Sequence, residues 1–490
     1  MKKLNRRSFL KSTALTAAAA TVSWTAKSWS QVAGSNSDVR VAVVGFYGRG
    51  QDHIGGLTKV PGVRLTAFCD VDHNVLEKEV ENFKKKGQDT EGYLDVRKML
   101  ESKNVDAVSI ATPNHWHSLA AIWAIQAGKD VYVEKPVSHN VFEGRKLVEA
   151  ARKYNKIVQT GTQSRSSREG IQAAVDWVKA GNLGKILIAR GLCYKPRPSI
   201  GKVNGPQPVP ANIDYDLWCG PALKVPLMRK RLHYDWHWIW NTGNGDLGNQ
   251  GIHQMDISRW FLGEDALSPR VLSVGGRLGY IDDGETANTQ IVYHAYEKAP
   301  LIFEVRGLPS GKDLHDGKKW AGGMDKYKGA SVGVVIECEG GHVTVPNYTS
   351  ATAYDKEGME LKKWNGAVSH YENFIKAVRS RKATDLHADI LEGHLSSGLC
   401  HTGNVSLRLG EKKSPDEIRE TIKGDKGLSE TFGRMAEHLA ANGVDLAKDK
   451  LHLGVPLQMN PKTEKFLGHD QANTMLTREY RPGFVVPEKV

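Results

Sequence analysis

Apolar runs of strand length alternate with helical stretches over the first third of the chain. Four such runs fall at residues 39–44, 63–69, 105–111 and 130–133, and helical patterns occur at residues 118–127 and 142–153. A further run that begins at residue 157 is typical of a last strand in the same set. Buried strands that alternate with helices predict a doubly wound parallel sheet with helices on both faces.

The pattern changes at about residue 185, where strand patterns become dominant. They fall at residues 186–194, 270–276, 289–296, 301–306, 332–338 and 341–345. Their alternation and apolar runs predict a mostly antiparallel sheet. The fold class is therefore α/β, with a first domain at residues 38–165, a second α/β domain at residues 166–410 and a C-terminal extension at residues 411–490. The extension is charged and helical at residues 428–442, and we expect it to pack over a cleft or at a subunit contact.

The turn after the first strand is rich in glycine and reads GFYGRG from Gly45 to Gly50. The second strand ends at Asp70, twenty residues beyond Gly50. Glycines permit a tight turn, a helix N-terminus attracts a pyrophosphate, and an acid at the end of the second strand accepts hydrogen bonds from a ribose. The order of strand, glycine turn, helix, strand and acid therefore predicts a Rossmann domain that binds a nicotinamide dinucleotide.

The residues of this region bear on how the pyrophosphate is bound and on the choice between NAD and NADP. Tyr47 occupies the place of the usual second glycine, and we expect Gly48 beside it to let the backbone approach the pyrophosphate. The carboxylate of Asp70 repels a 2′-phosphate, which favours NAD over NADP, while Arg49 offers a positive charge that would offset this preference. The predicted cofactor residues of this region are Gly45, Tyr47, Gly48, Arg49, Gly50 and Asp70.

Polar motifs follow the third and fourth strands. The sequence TPNHWH begins at Thr112, and Glu134-Lys135-Pro136 comes after the fourth strand. Ligands of doubly wound sheets bind at the carboxyl ends of the strands, so both motifs are expected to face the nicotinamide end of the cleft. Lys135 then lies where a sugar hydroxyl meets C4 of the nicotinamide ring. The predicted cofactor residues here are Thr112, Pro113, Asn114, His117, Glu134 and Lys135.

In this order and spacing, the glycine turn, the TPNHWH motif and the Glu-Lys-Pro step resemble the Gfo/Idh/MocA family, which includes glucose-fructose oxidoreductase and inositol dehydrogenase. The resemblance spans roughly residues 38–410. It implies that Lys135 lies between cofactor and substrate and helps to polarise the reacting hydroxyl, and that Gln163 lies next to the nicotinamide. It also implies an open second sheet with helices on one face, the other face being a candidate contact for a homo-oligomer.

Tryptophan is concentrated between residues 215 and 261, where five of the twelve tryptophans fall. Flat indole faces stack on the C–H faces of sugar rings, which favours a carbohydrate ligand, although the same residues are equally suited to fill a core between domains. Neighbouring histidines and arginines favour a polar, ring-binding cleft. The predicted substrate residues are Trp236, His237, Trp238, Trp240 and Asp256.

Asn249 and His253 are four residues apart at the start of a helix predicted at residues 252–261. Both side chains can then point at one substrate carbon if the helix begins early enough. The resemblance implies an Asp, three residues and a His at this place, with the His acting as acid or base beside the lysine. Asn249 stands where the carboxylate is expected, and an amide cannot take a proton. The predicted catalytic residues are Lys135, His253 and Asn249.

The formal net charge of +12 is concentrated at the N-terminus, since residues 1–30 contain six basic residues and no acidic residue. A basic start, the run from Asn5 to Lys11 with Arg6 and Arg7, and a short Ala-rich apolar stretch resemble a twin-arginine export signal. The apolar stretch is too short to span a bilayer, so we expect a protein exported to the periplasm or beyond, without a membrane span.

Composition and spacing also exclude other classes of site. The five cysteines are scattered, odd in number and without a CxxC pair, which favours free core thiols over a disulfide framework. The histidines match no familiar metal-ligand spacing, so we predict no metal site. The modest charge on the rest of the chain gives no basic stripe, and we expect no nucleic-acid partner.

Export limits the reaction, because free NAD is scarce outside the cytoplasm and the cofactor must stay bound. Three functions remain open. The first is an NAD(P)-dependent oxidoreductase that acts on a sugar or polyol hydroxyl and recycles its cofactor in place. The second is an NAD-dependent glycoside hydrolase, in which transient oxidation, elimination and water addition leave no net redox change. The third is a sugar sensor that holds a cofactor without catalysis.

Overall fold

The computed structural model of the chain describes residues 38–316 and 319–490. The predicted export signal at residues 1–30 lies outside these ranges. None of the helices within them combines the length and the apolar character that a bilayer crossing requires.

A parallel sheet forms the core of the first domain. Its strands are β1 (Val39–Val44), β2 (Val63–Cys69), β3 (Glu91–Tyr93), β4 (Ala107–Ile110), β5 (Asp130–Val133) and β6 (Val158–Thr160). They lie in the order β3-β2-β1-β4-β5-β6. The helices of this domain are α1 (Arg49–Leu57), α2 (His73–Lys85), α3 (Val96–Leu100), α4 (Asn114–Gln126) and α5 (Val141–Lys153). Because the strand order reverses beside β1, a crevice opens at the carboxyl ends of β1 and β4.

Helix α4 begins four residues before the start that the sequence pattern predicts. Pro113 occupies the N-cap with an extended backbone, and Asn114 is the first helical residue. The helix is buried on nearly all sides, so it lacks the amphipathic period that marks a surface helix. The polar part of the TPNHWH motif is therefore the first turn of α4.

The second domain is built on a mostly antiparallel sheet. Its strands are β7 (Ile186–Tyr194), β8 (Arg270–Gly276), β9 (Thr289–His294), β10 (Leu301–Arg306), β11 (Val332–Cys338), β12 (Gly341–Val345), β13 (Ser350–Tyr354), β14 (Glu360–Asn365), β15 (Glu411–Lys413), β16 (Leu451–Leu453), β17 (Leu457–Asn460) and β18 (Lys465–Phe466). The main path runs β14-β13-β12-β11-β7-β10-β9-β8-β16-β15. Strands β7 and β10 pair in parallel.

Helices cover one face of this sheet and form its core. The helices of the second domain and the extension are α6 (Ala173–Lys179), α7 (Tyr215–Cys219), α8 (Leu232–Asp235), α9 (Ile252–Leu262), α10 (His370–Ser380), α11 (Ile390–Arg408), α12 (Pro415–Ile422), α13 (Lys426–Ala441) and α14 (Asp470–Thr474). Met255 of α9 and Leu399 of α11 share an apolar core with Val292 and Phe303 of the sheet. This packing fixes α9 against the second sheet.

The other face of the sheet is covered in part by the C-terminal extension. Ile291 and Ile302 point away from α9, because successive side chains on a strand alternate between faces. They are buried with Phe432 and Met435 of α13. The open face that the resemblance implies is therefore closed above β9 and β10. A homo-oligomer through this sheet stays a prediction and would need a different part of its surface.

The rest of the extension extends the sheet and reaches the first domain. Strand β16 pairs with both β8 and β15. Phe484 and Val486, near the C-terminus, are buried in the apolar core that also holds Trp116 of α4. The extension thus packs on the outer sheet face and on the first domain and does not line the cleft, and its expected subunit contact stays a prediction.

A long connection between β7 and α9 returns to the first domain. The backbone N–H of His73 donates to the carbonyl oxygen of Asn212 at 2.8 Å, and the N–H of Asp214 donates to the carbonyl oxygen of Val71 at 3.0 Å. These bonds lie just beyond the end of β2. The connection therefore forms one wall of the crevice at the carboxyl ends of the parallel strands.

Candidate active site

One cleft of about 630 Å³ runs between the carboxyl ends of the parallel strands and the second domain. The predicted residues that line it are Gly45, Tyr47, Gly48, Arg49, Asp70, Thr112, Pro113, Asn114, His117, Glu134, Lys135, Gln163, Trp236, His237, Asn249 and His253. Gly50 does not line it, because it is already the second residue of α1 and is buried against the carbonyl oxygen of Gly45. The cleft thus brings together most of the residues that the sequence analysis selects.

Glycine is required at the first position of the turn after β1. Gly45 has φ +75°, and a Cβ atom there would lie 2.8 Å from the backbone of Thr112. At Gly48, by contrast, a Cβ atom would meet no heavy atom within 4 Å. Helix α1 begins directly after Gly48, so its free N–H groups lie at an open part of the turn.

Asp70 is the acid at the end of β2, and it supports the glycine turn. Its carboxylate accepts hydrogen bonds from the backbone N–H of Phe46 at 2.9 Å and of Asp72 at 3.0 Å. Burial raises the pKa of Asp70, while these two backbone donors oppose the shift. Each carboxylate oxygen has a second lone pair, so a ribose hydroxyl can still donate to it.

Tyr47 joins the glycine turn to the second domain. Its ring stacks on the imidazole of His233, with ring centroids 3.9 Å apart and ring planes 5° apart. His233 Nε2 in turn lies 2.9 Å from a carboxylate oxygen of Asp72. The usual second glycine could not make this contact. The substitution therefore links the turn to the connection between β7 and α9.

Glu134, at the end of β5, is a buried hub of hydrogen bonds. Its Oε1 atom accepts from Arg49 Nε at 2.9 Å and lies 3.1 Å from His53 Nε2 and 3.4 Å from Gln163 Nε2. Burial alone would raise the pKa of Glu134, but the hydrogen bond from His53 and the charge of Arg49 hold it well below its ordinary value. Arg49 is therefore committed to Glu134 and is not free beside Asp70, where it would offset the preference for NAD.

The first turn of α4 is held against the second domain and the Glu-Lys-Pro step. Asn114 Nδ2 donates to Asn244 Oδ1 at 3.0 Å. The His117 ring lies between the carbonyl oxygens of Pro136 and Thr112, at 2.6 and 2.7 Å. These contacts fix the ends of β4 and β5 relative to each other.

Lys135 is held at the floor of the cleft by a main-chain oxygen. Its Nζ atom donates to the carbonyl oxygen of Asn249 at 2.8 Å and lies 3.5 Å from the Asn249 side-chain oxygen. A π-helical turn at Leu247–Gly251 precedes α9 and carries Asn249. Burial lowers the pKa of the Lys135 ammonium, and the charge of Glu134 partly opposes this shift. The main contact does not depend on the side chain that replaces the expected carboxylate.

His253 lies one helical turn beyond Asn249 and lines the same cleft. Its Nδ1 atom is buried without a hydrogen-bond partner among the described residues, which leaves Nε2 to exchange a proton with a ligand. Burial, followed by the charge of Lys135, lowers the pKa of His253 to about 3. The imidazole is therefore neutral at physiological pH.

Two of the predicted aromatic substrate residues line the cleft. Trp236 and His237 belong to a 3₁₀ turn, and their rings stack with centroids 3.6 Å apart. Burial lowers the pKa of His237 to about 3. Together they give this part of the cleft a flat, uncharged wall.

The other two tryptophans lie outside this cleft, so their predicted contact with substrate there is not supported. Trp238 is buried under the guanidinium of Arg197, which lies 5.1 Å from the ring centroid. Trp240 lines a separate cavity of about 380 Å³, with Arg408 4.8 Å from its ring centroid. The short turn rotates successive side chains to different sides, so this group of tryptophans cannot share one wall.

Asp256 is likewise outside the cleft and is not a substrate residue there. It is fully buried, and its two carboxylate oxygens accept from Arg165 Nε and Nη2, both at 2.8 Å. Ser396 Oγ donates to it as well, at 2.8 Å. This ion pair joins α9 to the exit of the first domain and to α11, so its role is structural.

Two sequence models of one family match the chain. One, described as an oxidoreductase family with an NAD-binding Rossmann fold, matches residues 39–162, and the family's C-terminal alpha/beta domain matches residues 185–306. Together they cover about half of the chain. The chain belongs to the Gfo/Idh/MocA oxidoreductase family. A third model, the twin-arginine translocation pathway signal sequence, matches residues 3–23, and the protein carries the signal of an exported protein.

Curated relatives of this Gfo/Idh/MocA protein are matched only in part. It is 33% identical over 171 residues to "Glycosyl hydrolase family 109 protein 2" of Shewanella sp. (strain ANA-3), covering 31% of this chain and 38% of that protein. It is 30% identical over 154 residues to "Glycosyl hydrolase family 109 protein 1" of the same strain, covering 30% and 33%. The matched region thus spans about a third of the length of these relatives.

Solved structures resemble most of the Gfo/Idh/MocA chain in fold. The WlbA dehydrogenase from Bordetella pertussis, in complex with NADH and UDP-GlcNAcA, has 20% identity and a TM-score of 0.53, covering 75% of this chain and 96% of that chain. Levoglucosan dehydrogenase, in complex with NADH and levoglucosan, has 16% identity and a TM-score of 0.54, covering 74% and 95%. At these identities the likeness shows the fold alone.

The residues of the Gfo/Idh/MocA chain fit a nicotinamide dinucleotide. Gly48 leaves open space at the start of α1, and the carboxylate of Asp70 lies in the cleft at the end of β2. Thr112 Oγ1, beside Gly45, is buried without a hydrogen-bond partner among the described residues. An open glycine turn and a ribose acceptor are features that the Rossmann binding mode uses, and the Thr112 hydroxyl is a further polar group available beside the turn.

Several cleft residues escaped the sequence analysis. His53 does not line the cleft but contacts Glu134 from behind it, and its place one helical turn after Arg49 on α1 was the available signal that both reach one group. Lys195 directly follows β7, and Gln250 follows Asn249, whereas nothing in the sequence marks Tyr348.

All five cysteines are buried and free. In the described ranges, no group of three or more His, Cys, Asp or Glu side chains has an arrangement that could hold a metal ion.

Proposed function

We propose that this protein is an NAD-dependent oxidoreductase that acts on a sugar or polyol hydroxyl and keeps its cofactor bound and recycled in place. The observation that carries the proposal is the position of Lys135 Nζ. It lies 2.8 Å from the carbonyl oxygen of Asn249, in the one cleft that also contains His253 and the glycine turn after β1. A cationic donor and a neutral imidazole therefore face the same space as the dinucleotide site.

The dinucleotide would be held by the glycine turn and by Asp70. The N–H groups at the start of α1 suit the pyrophosphate, and the Asp70 carboxylate suits the hydroxyls of the adenosine ribose. A 2′-phosphate would meet that carboxylate without help from Arg49, which is paired with Glu134 at 2.9 Å. This supports NAD over NADP. When bound, NAD supplies a hydride acceptor at C4 of its nicotinamide ring.

Lys135 and His253 divide the handling of the substrate hydroxyl. The Lys135 ammonium has N–H donors left after its bond to Asn249, and one of them can hold the substrate oxygen and stabilise negative charge on it. His253 Nε2 is unprotonated when the ring carries its hydrogen on Nδ1, so it can accept the hydroxyl proton. The chain thereby orients the hydroxyl and removes its proton.

The surrounding residues fit a ring-shaped substrate and a retained cofactor. Trp236 and His237 offer stacked flat faces beside the reacting groups. The stacking of Tyr47 on His233 joins the two sides of the cleft at the glycine turn. An exported enzyme benefits from such a closure, because a cofactor released outside the cytoplasm would not be replaced.

A second candidate is the redox-neutral cleavage of a glycoside. It is favoured by the similarity to the two proteins named glycosyl hydrolase family 109. In that reaction a base of this chain would also remove a proton from the carbon next to the oxidised one, and water would replace the departing glycosidic oxygen. His253 is the neutral base within the cleft for this step.

Incubation of the NAD-loaded protein with sugars and glycosides in deuterated water tests both candidates. Oxidation of a free sugar coupled to reduction of a second sugar, with no deuterium at C2, is expected for the oxidoreductase. Solvent deuterium at C2 of a released sugar, without net NADH, would contradict it and support glycoside cleavage. If neither arm shows turnover and Lys135→Ala binds sugar as tightly as wild type, the remaining function is the sugar sensor without catalysis.

A further inference from the structure

Lys195 places a second unpaired ammonium group in the cleft. It directly follows β7 and lines the side formed by the second domain. In the part of the chain that the structure describes, no carboxylate lies within ion-pair distance of its Nζ atom. Its hydrogen-bond partner is Gln250 Oε1 at 3.2 Å, which leaves further N–H donors unused.

Gln250 orients Lys195 together with Tyr348. An ammonium group can only donate, so the amide oxygen of Gln250 must face Lys195 and the amide nitrogen must face away from it. That nitrogen donates to Tyr348 Oη at 2.8 Å. The phenol oxygen is thus an acceptor in this bond, and its own hydrogen is free to donate elsewhere. Two donors, one charged and one neutral, are therefore held on either side of one amide.

This pair of donors lies beside the reacting groups. The ring of Tyr348 lies 4.8 Å from that of His253, centroid to centroid, at an angle of 39°. Lys195 and Lys135 line the same cleft, and the charge of Lys195 contributes, after burial and the charge of Arg49, to lowering the pKa of Lys135. A substrate held between Lys135 and His253 would reach Lys195 and Tyr348 with a neighbouring substituent.

The charges at this end of the cleft are unbalanced. Of the three acids that line the cleft, Asp70 and Asp95 follow β2 and β3, whereas Glu134 directly precedes Lys135 and is paired with Arg49. Asp246 lies behind the cleft wall, and both of its carboxylate oxygens accept from Arg197, at 2.6 and 2.7 Å. Lys135 and Lys195 therefore remain as two positive charges without a matching negative charge. A neutral sugar would leave this excess in place, whereas an anionic one would reduce it.

We propose that the substrate is an acidic sugar, whose carboxylate or sulfate group binds to Lys195 and Tyr348 while a ring hydroxyl faces Lys135 and His253. Gln250 is the positioning residue of this anion subsite. The inference rests on the proposed function for the identity of the ring, since it adds the substrate's charge to a site already assigned to sugars. Both anionic groups present two or more oxygens to two adjacent donors, as the subsite requires.

Binding of matched sugar pairs to the NAD-loaded protein tests the subsite without relying on turnover. The probes are the methyl glycosides of glucuronate and glucose and of galacturonate and galactose, together with glucose 6-sulfate. The variants are Lys195→Met and Gln250→Glu, the latter being nearly isosteric and bringing a carboxylate against Lys195. Lys202→Met is the matched control, because Lys202 is an exposed lysine seven residues further along that does not line the cleft.

We expect wild-type protein to bind at least one acid about tenfold or more tightly than its neutral partner at low ionic strength, as one charge-assisted hydrogen bond allows. Lys195→Met and Gln250→Glu should abolish this preference, and Lys202→Met should keep it. A stronger preference for the sulfate ester than for either uronate would identify a sulfated sugar, and the reverse order a uronate.

Equal binding of acids and neutral sugars by wild-type protein would overturn the proposal. So would an acid preference that survives in both subsite variants or is lost in Lys202→Met. An equal loss of kcat on acidic and neutral sugars in Lys195→Met, with KM unchanged, would mean that Lys195 acts on the reacting oxygen instead. Acid binding without any turnover would contradict the proposed function alone, and turnover of neutral sugars without acid preference would contradict the subsite alone.

Discussion

The ring of Tyr47 lies flat against the imidazole of His233, with centroids 3.9 Å apart, so the glycine turn of the first domain is tied to a segment of the second. Both residues line the cleft in which we propose that the dinucleotide binds. His233 is itself held by Asp72 at 2.9 Å, just beyond the end of β2. The His233 side of the contact is therefore anchored to the first domain.

We expect Tyr47→Ala to raise the dissociation rate of bound NAD by about 2- to 10-fold, because an aromatic pair contributes about 0.5–1.5 kcal/mol beyond its buried area. The measurement is the dissociation of bound NADH after dilution, followed by its fluorescence, together with the NAD that remains bound after gel filtration. Tyr47→Phe keeps the stacked ring and is the matched control. A dissociation rate in Tyr47→Ala equal to that of Tyr47→Phe would show that the contact does not retain the cofactor.

Lys135→Met should lower turnover by about 10²- to 10⁴-fold, which is the range for loss of a positioned proton-transfer or charge-stabilising group. Bound NAD, measured after denaturation, should remain at the wild-type level, because the glycine turn and Asp70 hold the dinucleotide. Lys202→Met again provides an exposed lysine with the same charge change. If Lys135→Met turns over at the wild-type rate, Lys135 is not needed for the reaction and the proposed mechanism is wrong.

Asn249 gives a different prediction, because it holds Lys135 through a carbonyl oxygen that every residue has. We expect Asn249→Ala to keep turnover within about tenfold of wild type, since the contact at 2.8 Å is retained. Asn249→Asp should behave otherwise. Its carboxylate would favour the charged form of Lys135 and raise the pKa of that ammonium. The part of the pH profile that reflects titration of Lys135 should therefore move to higher pH.

The measurement for both variants is the pH profile of kcat/KM. An unshifted profile in Asn249→Asp would argue that Lys135 does not titrate in the observed reaction. A collapse of turnover in Asn249→Ala would show that the amide side chain, 3.5 Å from Lys135 Nζ, matters more than the main-chain contact.

The sequence predicts the parallel sheet and the cleft residues at its strand ends well, because both follow from local patterns. Strands β1 and β2 have the predicted bounds, and Glu134 and Lys135 lie in the cleft because they follow β5 directly. The pairing of Arg49 with Glu134 joins residues 85 positions apart, and no local pattern reveals it. The same holds for Lys195, whose significance depends on which acids lie near it in space.

The tryptophan-rich segment shows a second limit. Trp236 and Trp240 belong to one short segment, yet they line different cavities, because a 3₁₀ turn and its exit rotate successive side chains to different sides. Composition alone could not separate them. The position of α13 could not be predicted either, because this helix covers a sheet face whose exposure the sequence does not show.

Asp256 provides the last prediction, on stability. Burial alone would raise the pKa of Asp256, but the ion pair with Arg165 holds it below its ordinary value. A carboxyl whose pKa is lower in the folded state stabilises the fold above its unfolded pKa, about 3.9, and loses this contribution as the pH falls through the folded value. Asp256→Ala should therefore cost about 3 kcal/mol near neutral pH, at the low end of the range for a broken buried ion pair, because Arg165 loses both oxygens of Asp256 and keeps only Glu392 at 2.9 Å.

The measurement is thermal unfolding of wild type and Asp256→Ala between neutral pH and about pH 3, together with the NAD content of each protein. The difference in unfolding free energy should be largest near neutral pH and should shrink in acid, where the wild-type carboxyl becomes protonated. NAD content should stay unchanged, because Asp256 does not line the cleft. A stable variant that instead loses affinity for sugar would restore Asp256 to the substrate site.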